Sequence, residues 1–208
     1  MTKRNECIDY LSRKGEDKEI SKIIAVIFII AGFILFFGKR GWFPDFYNPE
    51  FMGVVAFISA FLIISPRLIF KAADSGQQKI LNLLQGSIVA GLSLNGLGAL
   101  GLYRADFGYD KILHFFVPLL FTIVIANFCR QWYKLTFKKS IILSMIIIFL
   151  AGLFWEFFEF FCDNLFNTKM LGYCGEFIVE DTVLDLIAGF FGIIGGVLIL
   201  FRKRILPN

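Results

Sequence analysis

Seven ionisable side chains lie in or beside strongly apolar stretches, and their spacing suggests chemistry. Asp110 and His114 stand at i, i+4, and Asp181 and Asp185 repeat that spacing. Glu156, Glu159 and Asp163 run i, i+3, i+7. On a helix each set falls on one face. Glu156, Glu159, Asp181 and Asp185 offer hard oxygen ligands in pairs, the donor type that Mg2+ and Mn2+ prefer. A cation held there could bind a phosphorylated lipid or envelope precursor, or polarise a phosphoryl oxygen and activate water. His114, the only histidine, would then act as general base or fifth ligand, with Asp110 orienting it.

The surrounding chain is too apolar for a soluble domain. Of its 208 residues 57% are hydrophobic and 18% charged, and 27 are Phe, against about 25% charged in soluble proteins. This excludes a cytoplasmic globular enzyme. It also excludes a nucleic-acid binder, despite the net charge of +4. The apolar residues fall in six runs long enough to cross a bilayer, at residues 20–38, 51–70, 80–103, 111–129, 140–166 and 182–201. The expected fold is an all-α polytopic bundle: a charged N-terminal segment at 1–19 and a single six-span membrane domain at 20–208. Membrane lipids are its expected surroundings. The charged N-terminus is long for the leading region of a cleaved signal peptide and no small-residue cleavage site follows, so the first run reads as a retained anchor. The sequence contains no internal repeat or low-complexity tract.

Basic residues orient the spans. One set of segments carries Lys3, Arg4, Arg13, Lys14, Lys18 and Lys22, then Arg67, Lys71 and Lys79, then Arg130, Lys134, Lys138 and Lys139, then Arg202, Lys203 and Arg204. The opposite loops carry Lys39, Arg40, Arg104, Lys111 and Lys169. Both termini are therefore expected in the cytoplasm. Glu156 and Glu159 then lie roughly 25–30 Å beyond Lys139 along a helix, near the outer face. Asp110, His114, Asp181 and Asp185 open spans that begin on that side. All three sets are expected to converge at the extracytoplasmic surface. Gly189, Gly192 and Gly196 continue the acidic face of the sixth span, and Gly152 that of the fifth. Small residues let helices approach closely, so spans five and six are expected to pack through them.

Blander roles compete for several of these residues. Asp110, Asp163 and Asp181 sit at span ends, where an aspartate commonly caps a helix. Lys111 fits a snorkelling anchor, and a lone His114 fits a hydrogen-bonded core residue. Glu156, Glu159 and Asp185 lie deeper in apolar sequence. There, carboxylates must share a proton, bind a cation or face a basic group. Trp155 and the Phe residues around it read as lipid-facing, and Asn82, Gln85 and Asn95 as interhelical hydrogen-bonders. Cys7 and Cys129 belong to the cytoplasmic side and should be reduced. Cys162 and Cys174 flank the outer loop, at a spacing that fits a disulfide staple, with zinc ligation alongside His114 as an alternative.

The runs Tyr109-Asp110-Lys111-Ile112-Leu113-His114-Phe115, Trp155-Glu156-Phe157-Phe158-Glu159 and Asp181-Thr182-Val183-Leu184-Asp185 carry a resemblance. Together they resemble the YjdF-like family of bacterial inner-membrane proteins, whose pattern is Y-D-K-x-x-H-F, W/Y-E-x-x-E and D-T-x-x-D. More distantly the chain is similar to the VanZ-like superfamily, named for a teicoplanin-resistance protein. That superfamily shares D-K-x-x-H, an E-x-x-Q-like pair and D-x-x-D-like residues followed by spaced glycines. Glu159 stands where a Gln is usual in it, Gly189 where an Asn is usual, and no Arg separates the last two motifs. These departures favour the YjdF-like branch and weaken transfer of glycopeptide resistance. The resemblance implies a bacterial inner-membrane location and no settled activity.

Three functions compete. The first is an envelope enzyme or lipid-headgroup binder using a divalent cation at the outer leaflet. The second is a proton or cation path lined by carboxylates, although the inner halves of spans four to six are apolar. The third is a non-catalytic membrane or envelope-resistance factor in which the charged residues form a structural network. The sequence has no nucleophile motif, phosphate loop or cofactor fingerprint to decide among them.

Overall fold

The computed structural model describes residues 3–43, 48–104, 108–166, 168, 170 and 178–205, with the side chains of 3–18, 40, 104, 178 and 203–205 excepted. Helices α1 (Lys3–Phe37), α2 (Pro49–Ile69), α3 (Ser75–Ala99), α4 (Tyr109–Trp132), α5 (Phe137–Phe166) and α6 (Ile178–Ile205) account for nearly all of it. Single 3-10 turns at Arg40–Trp42 and Leu102–Arg104 follow α1 and α3. No strand occurs among the described residues. All six helices are long and apolar enough to cross a membrane. The expectation of a six-span all-α protein is met. Phe154, Phe157, Phe160 and Phe161 of α5 lie on its exposed face. An exposed apolar surface of this kind suits a lipid surrounding.

The chain divides into two compact units, Met1–Ala90 and Gly91–Asn208. In the first, α1 and α2 pack closely around Gly53. A Cβ there would stand 2.9 Å from the Gly32 carbonyl oxygen and 3.0 Å from the Phe36 amide nitrogen. The side chain of Asn48 caps α2 by accepting the Phe51 N–H at 3.0 Å, and Pro49 occupies the first turn, where its missing N–H costs nothing. Pro66 sits inside the same helix and cannot donate to Leu62. The Leu62 carbonyl accepts the Ser65 hydroxyl at 3.0 Å instead. The α3 span is the least apolar of the six, with a mean hydropathy of 1.4, and its amides serve Arg67. That guanidinium donates to Asn82 at 2.9 Å and to Gln85, while Gln85 donates to the Ile63 carbonyl at 2.9 Å. Asn82 and Gln85 thus join α3 to α2, as the sequence suggests. Asn95 instead accepts the hydroxyl of Tyr103, a contact with the turn that follows its own helix.

In the second unit α4 packs against both α5 and α6, and most extensively on α6. The glycine stripe of α6 does face a neighbour, but the neighbour is α4. A Cβ at Gly192 would lie 2.1 Å from the Phe115 carbonyl oxygen, and one at Gly196 2.8 Å from that of Leu119. Gly152 of α5 has nothing within 4 Å of such a Cβ. The expectation that α5 and α6 pack through these glycines is therefore wrong. Helical spacing identifies a face able to approach closely, but it does not say which helix fills it.

Candidate functional site

The site is assembled where α4 and α6 begin and α5 approaches its end. Gly108 precedes α4 in the left-handed region, at φ +67°, a conformation glycine adopts without penalty. This places Tyr109 on the buried side, where its hydroxyl donates to the Leu94 carbonyl at 2.8 Å and its ring packs edge-on against Tyr103. Asp110 and Lys111 then fall in the first turn of α4 and His114 in the second. Asp181 lies in the first turn of α6, and a helix N-terminus favours such an aspartate.

Lys111 is the hub. A cation at a helix N-terminus opposes the helix dipole, so it needs nearby carboxylates. Its ammonium donates to Asp110 at 3.2 Å, to Asp181 and to Asp185 at 2.8 Å. Three donors meet three carboxylates, which uses the donor capacity of a lysine in full. The lysine that fitted a snorkelling anchor is held inside the cluster.

His114 lies on the other side of the same two aspartates. Its Nε2 is 3.6 Å from Asp110 Oδ1, and its Nδ1 is 3.6 Å from Glu156 Oε1 and 3.9 Å from Asp185 Oδ1. These separations are too long for hydrogen bonds. Glu156 and Asp185 are 7% and 2% exposed, and Glu156 Oε2 and Asp185 Oδ1 are buried with no hydrogen-bond partner. Asp185 Oδ1 is also 2.8 Å from the Lys111 ammonium, but only Oδ2 receives a hydrogen bond from it. Buried acceptors are rarely left unbonded, because losing water without a replacement costs about 1–3 kcal/mol each.

Ligand atoms of Asp110, His114 and Asp185 lie within 4.8 Å of one another. Atoms bound to one hard cation are at most two metal–oxygen distances apart, about 4–5 Å for Mg2+ to Ca2+. The donor set of two carboxylates and an imidazole is of the right type for such an ion; 4.8 Å lies at the wide, Ca2+ end of that range, so Mg2+ or Mn2+ would draw the three ligands a few tenths of an ångström closer. Among the described residues this is the group with metal-ligand spacing. The expected set of Glu156, Glu159, Asp181 and Asp185 shares only Asp185 with it. Asp181 is turned to Lys111, and Glu156 approaches His114 from α5 with Thr182 beside it. Glu159 is buried one turn beyond Glu156, next to Trp155 and within electrostatic reach of Asp110 and Asp185.

Tyr103 lies within electrostatic reach of Asp110, Glu159 and Asp185; the sequence places it at the end of the third span, whereas α3 stops at Ala99 and Tyr103 sits in the 3-10 turn that follows. Its ring lies against Gly98, where a Cβ would approach within 2.3 Å. Burial, reinforced by the negative charge of Asp110 and Glu159, pushes the Tyr103 phenol well above its ordinary value. Asp163 lies outside the cluster. It accepts from the Thr168 hydroxyl and, at 2.9 Å, from the Met170 N–H, securing the chain after α5. Cys162 and Cys129 are buried free thiols. The side chain of Cys7, and Cys174 and Lys169 altogether, lie outside the described residues.

The family described as "Predicted membrane protein (DUF2238)" matches residues 20–205. The chain belongs to that family. An uncharacterised protein of Thermotoga maritima is 27% identical over 112 residues, covering 50% of this chain and 54% of the relative. The chain thus matches about half the length of that relative. No solved structure matches. Membership and the six apolar helices together make this an integral, multi-pass membrane protein.

Within this DUF2238 protein, one lysine and one histidine face four carboxylates, Asp110, Glu156, Asp181 and Asp185, with Glu159 buried behind Glu156. Such a site can bind a cation. It can also orient a phosphate through that cation and place an imidazole beside it.

Proposed function

We propose that this protein binds the phosphorylated headgroup of a lipid or envelope precursor through a divalent cation, Mg2+ or Mn2+, at the outer face of the bacterial cytoplasmic membrane. The observation that carries the reading is the set of ligand atoms of Asp110, His114 and Asp185 within 4.8 Å of one another, with the buried Oδ1 of Asp185 ion-paired to Lys111 at 2.8 Å but receiving no hydrogen bond. Asp110, His114 and Asp185 would hold the ion, and Glu156 would face it from α5. The bound cation would supply electrostatic attraction for phosphate oxygens. His114 would be the group able to take a proton from water at that position, which makes hydrolysis an extension of binding. Glu159 would hold additional negative charge behind Glu156.

The location follows from the basic residues and from the YjdF-like resemblance. With both termini cytoplasmic, α4 and α6 start outside and carry the site with them. The more distant VanZ-like resemblance adds no activity to this reading. A carboxylate path across the membrane is disfavoured, because residues 115–128, 140–155 and 186–201 contain no Asp, Glu, Lys, Arg or His.

A structural network is the second reading, favoured by the three ion pairs of Lys111. Mn2+ binding to the purified protein in nanodiscs separates the two. The cation reading expects one bound Mn2+ per chain, lost in Asp185→Asn and in His114→Ala. Wild-type protein that binds no Mn2+ at millimolar concentration would leave only the network.

A further inference from the structure

Two aspartates serve both halves of the cluster at once. Asp110 directs Oδ2 to Lys111 and Oδ1 to His114. Asp185 lies between the same two groups: Oδ2 accepts from the ammonium, and Oδ1 is 2.8 Å from that ammonium and 3.9 Å from Nδ1 of His114. The candidate cation ligands are therefore the carboxylates that neutralise Lys111. A divalent ion on those oxygens and an ammonium on the same carboxyl groups repel each other at close range. Asp181 is different. It holds Lys111 but does not belong to the group with metal-ligand spacing, and its position in the first turn of α6 is more exposed than that of Asp185. The Lys111 side chain is 32% exposed, on a flexible four-carbon stem.

We propose that Lys111 is an exchangeable counter-ion: a divalent cation bound by Asp110, His114 and Asp185 displaces its ammonium, which then pairs with a phosphate group held on that cation. This rests on the cation reading above and adds the residue that recognises the phosphate. Before exchange, Lys111 makes the three-carboxylate cluster tolerable in a membrane by covering it with its own charge. After exchange, Asp181 keeps the ammonium beside the ion, and its remaining donors point to the anion that arrives. A lysine binds phosphate as a point charge and does not need the fixed geometry of a guanidinium. The ligand is thus a phosphate monoester or diester, carried by a lipid or free in solution.

The test measures Mn2+ affinity by electron paramagnetic resonance in phosphatidylcholine nanodiscs, corrected with empty discs. Wild type, Lys111→Met and Lys111→Arg are compared without phosphate, with inorganic phosphate, and with phosphatidate in the disc. Removing the competing ammonium should tighten Mn2+ binding by Lys111→Met about tenfold, the order expected from losing one nearby like charge. It should also abolish the further tightening that phosphate produces in wild type. Tightening by phosphatidate alone identifies a lipid headgroup, and tightening by both identifies phosphate from either source. Lys111→Arg keeps the charge and pairs more firmly with carboxylates, so it should bind Mn2+ more weakly than wild type. This holds the proposal to account even where Lys111→Met fails to fold. Equal or weaker binding by a folded Lys111→Met, or tighter binding by Lys111→Arg, would overturn the exchange while leaving the cation site standing. Absence of Mn2+ binding in wild type overturns both.

Discussion

Gly192 is the position at which packing and site are most directly joined. An alanine there would put its Cβ 2.1 Å from the Phe115 carbonyl oxygen, 3.0 Å from the carbonyl carbon and 3.3 Å from the Leu119 nitrogen. All three are backbone atoms of α4, so no side-chain rotation relieves the contact. Restoring a carbon–oxygen separation near 3.3 Å requires α4 and α6 to move apart by about 1 Å. Overpacking of this kind costs about 1–3 kcal/mol, and a backbone clash falls at the upper end. The greater helix propensity of alanine returns up to about 1 kcal/mol, which leaves a net loss of about 2 kcal/mol. Asp185 lies two turns before Gly192 on α6, so the same movement lengthens its 2.8 Å contact with Lys111. Gly192→Ala should therefore lower the thermal unfolding midpoint by several degrees and weaken Mn2+ binding together. The matched control is Gly152→Ala, which has nothing within 4 Å of the new carbon; it should leave Mn2+ binding unchanged and raise the midpoint slightly through the helix propensity of alanine. A Gly192→Ala protein as stable as the Gly152→Ala control would refute the close α4–α6 approach, and with it the positioning of Asp185.

Tyr103 provides a pH test. Its phenol keeps its proton in the folded protein at pH values where an unfolded tyrosine, at about 10, has lost it. Above that pH the unfolded state binds fewer protons than the folded one, so stability falls as pH rises. Tyr103→Phe should flatten this alkaline decline in the unfolding midpoint, and an unaltered slope would show that Tyr103 ionises normally. In the first unit, Arg67→Lys loses the paired contacts with Asn82 and Gln85. It should cost about 1–2 kcal/mol of stability, measured by thermal unfolding, and a neutral result would remove the α2–α3 clamp. For orientation, green fluorescent protein fused after Asn208 should fluoresce, and alkaline phosphatase fused after Phe166 should be active. The opposite pair of outcomes would invert the topology and put the site on the cytoplasmic side.

Much of the architecture was legible because a bilayer imposes a one-dimensional rule. Length and apolarity alone mark a span, and a helix occupies each segment so marked, although α3 ends at Ala99 and leaves residues 100–103 of the expected third span to turns. Positions inside the site were harder to read. Asp110 with His114 and Asp181 with Asp185 could be paired by helical spacing, since each pair belongs to one helix. That Lys111 would reach across to α6 could not be read that way, because it depends on how α4 and α6 are rotated about their axes. Tyr103 lies in a short turn with no periodicity, and its place beside the carboxylates is visible only once Gly98 is seen to admit its ring.

The sequence by itself determines that this is a six-span helical membrane protein and that its intramembrane charges occur at the ends of three helices. Hydropathy and i, i+4 spacing are local properties, and they suffice for that. Only the tertiary structure decides which helix fills the glycine stripe, which carboxylates neutralise Lys111 and which remain beside His114. Those are contacts between residues some 70 positions apart, such as Lys111 and Asp181. They are set by the close approach of two backbones at Gly192, which no local pattern specifies.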